Sequence, residues 1–77
     1  METYERDRMV RYRMARGVLP RRAERARMWG GSGSLRPCEI CEEKILMSAI
    51  EYELDLDGRT VILCVPCYLA WRTCCGH

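Results

Sequence analysis

At 77 residues the chain has room for one domain, and a domain this short buries too little apolar surface to be held by core packing alone, so a staple is expected. The net charge of +2 hides an asymmetry: residues 1–37 carry ten arginines against four acids, whereas residues 38–77 carry three basic groups against seven acids. The chain opens on mixed charge, Met-Glu-Thr-Tyr-Glu-Arg-Asp-Arg, which argues against a secretory signal, and no stretch approaches the roughly 18 apolar residues of a membrane span; a cytoplasmic protein with reduced thiols is expected.

The first predicted element is a helix over residues 3–16, rich in helix formers, acidic near its start and basic toward its end, with Gly17 and Pro20 as stop signals. Its apolar residues Met9, Val10, Tyr12 and Met14 do not gather into a narrow stripe, so it is marginal in isolation. A second short helix is expected from Pro20 to Met28. Together they form an Arg-rich helical arm over residues 1–30, in which Arg11, Arg13, Arg16, Arg21, Arg22, Arg25 and Arg27 are candidates for contact with phosphates. Twelve arginines against one lysine suit bidentate contact with phosphate or carboxylate, although a GC-rich genome accounts for the same bias. Residues 31–37, around Gly30-Gly31-Ser32-Gly33-Ser34, are expected to form a flexible linker. A phosphate-cradling loop is rejected there, because neither a preceding strand, a following helix nor a Gly-Lys-Ser/Thr ending is present.

Residues 38–77 are expected to be the folded module. Ile50-Glu51-Tyr52-Glu53-Leu54-Asp55-Leu56 alternates strictly, placing Ile50, Tyr52, Leu54 and Leu56 on one face of a strand and Glu51, Glu53 and Asp55 on a solvated face that blunts edge pairing. Asp57-Gly58 suits a tight turn, and Arg59 to Leu63 supplies the β-branched return strand of a hairpin. A helix of about ten residues then starts near Pro66 and ends at Gly76, with Cys67, Ala70, Trp71 and Cys74 on one face. The expected core is Tyr52, Leu54, Val61, Leu63, Leu69 and Trp71.

Cys38-x2-Cys41, a spacer of 22 residues and Cys64-x2-Cys67 is the pattern of a four-cysteine zinc site. Two intervening residues let the chain turn so that both sulfurs meet one ion, and two such pairs close a tetrahedron. Reduced core cysteines or two disulfides are the competing readings. Iron is the competing metal, but rubredoxin-like sites carry Pro and Gly in both turns, and here Glu42 and Tyr68 follow the second cysteine of each pair. One structural Zn2+ is therefore expected. A ligand pair in a turn, then a hairpin, then a pair at a helix start predicts a small α+β, zinc-stabilised, treble-clef-like fold with a basic N-terminal arm.

Leu19-Pro20, Trp29-Gly30, Gly33, Cys38-x2-Cys41, Ile45, Glu51-Tyr52-Glu53, Asp57-Gly58, Cys64-x2-Cys67 and Trp71, spread over roughly residues 16–71, resemble a group of small bacterial proteins of unassigned function with one zinc-finger site. The resemblance implies zinc binding and brings no established function. In that group histidine often stands at the position of Cys64, and glycine at that of Glu42.

Cys74 and Cys75 exceed one site; with His77 they could form a second site or join two chains, but an apolar core role for Cys74 and a partly exposed thiol at Cys75 are the simpler reading. An all-cysteine site is coordinatively closed and the one histidine is the last residue, so no enzyme activity and no small-molecule substrate are expected. A nucleic acid bound through the arm in a salt-sensitive way is one expected partner. An acidic protein, or a second copy meeting the arm or the hairpin face, is the other.

Overall fold

The computed structural model describes residues 1–76. A helix, α1 (Thr3–Ala15), and a single 3-10 turn (Ala23–Arg25) precede strands β1 (Arg27–Ser32), β2 (Ile50–Leu56) and β3 (Arg59–Cys64), and helix α2 (Val65–Cys75) closes the described chain. The strands form one antiparallel sheet in the order β1-β2-β3.

α1 ends where the sequence places its stop. Gly17 takes a left-handed φ of 78°, which a residue without Cβ adopts at little cost. The amides of Val18 and Leu19 turn back onto the Arg13 carbonyl, and the Arg59 guanidinium donates to the carbonyls of Gly17 and Val18 at 2.7 and 2.6 Å. A helix with arginines on most faces has little to bury, and only Val10 and Met14, one turn apart, become buried. They suffice to seat α1 against α2. Val10, Met14 and Leu19 belong to the same buried cluster as Ile40, Leu54, Val61, Leu63 and Trp71. The Trp71 indole N–H donates to the Pro20 carbonyl at 2.9 Å and ties the segment after α1 to α2.

The helix expected from Pro20 to Met28 is not formed. Three residues make a 3-10 turn, and from Arg27 the chain is extended, pairing Arg27 with Asp55 through Ser32 with Ile50. β2 offers an open edge, and pairing with it overrides the weak local preference of an Arg- and Ala-rich segment that runs into Trp29-Gly30-Gly31, where a helix could not continue. The expected linker correspondingly begins as strand, and Gly30 and Gly33 serve close approach. A Cβ on Gly30 would stand 3.3 Å from the Tyr52 ring, and one on Gly33 would strike the carbonyls of Leu46 and Ile45.

The hairpin forms in the expected register, Leu54 opposite Val61 and Tyr52 opposite Leu63. Asp57 and Gly58 both have positive φ, 42° and 91°, as a two-residue hairpin turn of the right twist demands. The faces of β2 differ from expectation at its start: Glu51 is only 7% exposed, whereas Ile50 is 49% exposed. The segment expected to be a linker crosses over Glu51. The Ser34 amide and hydroxyl donate to its Oε1 at 3.1 and 2.8 Å, and Arg36 donates to its Oε2 at 2.6 Å and to Glu53 at 2.9 Å. Burial pushes the Glu51 carboxyl up, but the hydrogen bonds from Arg36 and Ser34 outweigh it and hold the group below the usual range. Of the expected core, Leu54, Val61, Leu63 and Trp71 are buried, while Leu69 is 56% exposed. Tyr52 is half-buried and stacks on Tyr68, ring centroids 3.8 Å apart.

Candidate metal centre

Cys38 and Cys41 lie in a tight turn in the segment between β1 and β2. The Cys38 amide donates to the Glu43 carbonyl and the Glu42 amide to the Cys38 carbonyl, each at 2.9 Å, while the Ile40 amide points at the Cys38 sulfur at 3.4 Å. The Glu39 amide bonds the Ile62 carbonyl at 2.8 Å, fixing the turn to β3. Glu42 has a φ of 64°, a left-handed conformation in which a non-glycine residue costs about 1–2 kcal/mol. Glycine, the residue of the resembling proteins at this position, would adopt it freely.

The other pair comes from the junction of β3 with α2. Cys64 ends β3 and is the N-cap of α2, Pro66 occupies the first turn where its missing N–H is not needed, and Cys67 follows in the same turn. The hairpin returns the chain, so residues 22 apart in the spacer count meet: Cys41 Sγ and Cys64 Sγ are 3.7 Å apart. All four sulfurs lie within 4.8 Å of one another. A tetrahedron with metal–sulfur distances of ~2.3 Å has edges of about 3.8 Å, so four cysteines are positioned to bind one metal ion. All six cysteines are free thiols.

Charge is the difficulty of such a cluster, and it identifies the ligand that would resolve it. Cys38 is drawn down to about 4, first by the Cys67 thiol that donates to it and further by the amides of Cys64, Cys41 and Ile40, with burial acting against them. Burial first, then the Cys38 charge, pushes Cys41 up to about 11; Cys67 is pushed up by its hydrogen bond to Cys38 and by burial. Cys38 thus takes the negative charge while Cys41 and Cys67 keep their protons. A metal cation among the four sulfurs would offset the repulsion of their thiolates, and the start of α2 adds the positive end of a helix dipole.

The remaining sulfurs are elsewhere. Cys74 and Cys75 sit at the far end of α2, half-buried, with Cys75 Sγ 3.8 Å from the Pro20 carbonyl. Burial raises both thiols above their ordinary range. His77 lies outside the described residues.

The candidate arginines are spread over several elements. Arg13 is half-buried in an ion pair with Glu39, Arg22 pairs with Glu24 at 3.8 Å, and Arg16 lies over the Tyr12 ring. Arg11, Arg21, Arg25 and Arg27 are exposed with no ion pair among the described residues. Two arginines outside that candidate set also take up positions built by the fold. Arg36 clamps Glu51 and Glu53, and Arg6 lines the cavity beside Cys41 and Cys64. No local pattern marks either, because each acquires its role only when distant segments dock.

No helix among the described residues is long and apolar enough to cross a membrane. Neither a family model, a curated protein nor a solved structure matches the chain.

Proposed function

We propose that the protein is a non-enzymatic, cytoplasmic zinc-binding protein in which Cys38, Cys41, Cys64 and Cys67 hold one structural Zn2+ in a treble-clef-like module. The observation that carries this reading is the closure of the two ligand pairs on each other, with Cys41 and Cys64 sulfurs at the 3.7 Å expected for an edge of a zinc tetrathiolate. The order of supports, a turn, then a hairpin, then a helix start, supports the treble-clef-like reading. Four protein donors leave no open position for a substrate or an activated water, which favours a structural over a catalytic metal. Glu42 and Tyr68 in place of the Pro and Gly of an iron-type turn favour zinc over iron. The candidate arginines lie on α1, on the segment after it and on β1, and this spread favours no second reading of comparable strength.

A structural metal makes the fold conditional on it. Excess chelator should abolish the helical circular dichroism of the purified protein, and one equivalent of zinc should restore it. An unchanged spectrum after the metal has been removed would contradict a structural role.

A further inference from the structure

Two arginines of α1 are half-buried, Arg13 against Glu39 and Arg6 without a carboxylate partner among the described residues. Arg6 precedes Val10 by one helical turn, so its side chain leaves from the face that docks on α2. It lines a cavity with Cys41, Cys64, Val65 and Pro66, and is half-buried there. Its Nε is buried and without a hydrogen-bond partner. Arg13, Arg22 and Arg36 each have a carboxylate, but no ion pair among the described residues involves Arg6. Removing a cation from water without an anion is costly, and the groups that compensate are sulfurs. Cys41 and Cys64, which share its cavity, are placed to carry the compensating negative charge.

We infer that Arg6 is an outer-shell partner of the metal centre: its guanidinium, which shares a cavity with Cys41 and Cys64, donates to a ligating sulfur and offsets the net negative charge of a divalent tetrathiolate, so that metal binding and the docking of α1 are one coupled event. The inference rests on the zinc reading above. A hydrogen bond to a ligating sulfur lowers its electron density and eases the repulsion among four thiolates, and outer-shell partners of this kind are commonly worth ten- to a hundredfold in metal affinity. Coupling is reciprocal, so the metal must hold α1 in place by the same factor with which α1 holds the metal.

The test is zinc competition against a chromophoric chelator in the full chain, comparing wild type, Arg6→Gln, Arg6→Lys and Val10→Ala. Val10→Ala loosens the same helix and leaves the cation. Arg6→Gln should bind zinc about ten- to a hundredfold more weakly, Arg6→Lys should recover most of that loss, and Val10→Ala should lose clearly less than Arg6→Gln. With Co2+ in place of zinc, the sulfur-to-metal charge-transfer band should move to longer wavelength in Arg6→Gln, as a sulfur freed of its donor becomes easier to oxidise, and stay put in Val10→Ala. Arg6→Gln within twofold of wild type, an unmoved band, or Val10→Ala matching Arg6→Gln would each overturn the inference. If Arg6→Gln does not fold with zinc, Arg6→Lys decides: folding with near-wild-type affinity supports the role of the charge, and failure to fold contradicts it. A wild-type chain that binds no zinc would instead overturn the metal reading itself.

Discussion

Cys67→Ser is expected to leave most of the chain unfolded at room temperature, whether or not zinc is supplied. Cys67 is fully buried, begins α2 and shares its sulfur with the cluster that joins α2 to the Cys38 turn. Serine offers a hard, poorly ionised oxygen where a thiolate is needed. In small zinc modules the metal contributes about 10–16 kcal/mol of apparent binding energy that is also folding energy. Domains as a class are stable by about 5–15 kcal/mol in total, so weakening that term severely should exceed the margin. Cys38→Ser, Cys41→Ser and Cys64→Ser should behave alike. Cys74→Ser and Cys75→Ser lie outside the cluster and should each cost about 1 kcal/mol. Circular dichroism of the variants, purified and melted with zinc present, checks both halves; Cys75→Ser as damaging as Cys67→Ser would mean that the ligands are misassigned.

Val10→Asp should be nearly as severe, for a different reason. Val10 is 0% exposed at the centre of the α1 face that meets α2. A carboxylate there must either stay in the core without a cation or pull α1 off the protein, and an uncompensated buried charge typically costs about 3–5 kcal/mol. Arg11→Ala, on the adjacent exposed position, should change stability by no more than about 0.5 kcal/mol. Urea unfolding of the zinc-loaded variants measures the difference. Equal stabilities would show that residues 1–16 are an appendage that the rest of the molecule does not need.

What was legible in the sequence is what short-range chemistry determines. α1, the β2–β3 hairpin and α2 follow from periodicity, the Asp57-Gly58 turn and the Pro66 and Gly76 boundaries, all of which act within a few residues. The ligand set was legible because Cys-x2-Cys is a local turn requirement repeated twice. β1 was not, since an isolated Gly-rich segment is flexible and becomes a strand only against the edge of β2, whose partner residues lie 18 to 28 positions further along the chain. Alternation in β2 separates two faces without saying which will be covered; Glu51 went inward because Ser34 and Arg36, from a segment expected to be linker, supply its hydrogen bonds. Arg6 likewise has no signature of its own. Its position depends on Val10 and Met14 fastening a helix whose apolar face is only two residues wide.

The central claim is that one zinc ion joins the Cys38 turn to the start of α2. Elemental analysis of protein purified without added metal, set against its measured concentration, tests this most directly. The account predicts one zinc per chain and, in Cys67→Ser, a fall to a small fraction of that value. Iron in place of zinc, or a folded wild-type chain carrying no metal, would contradict it.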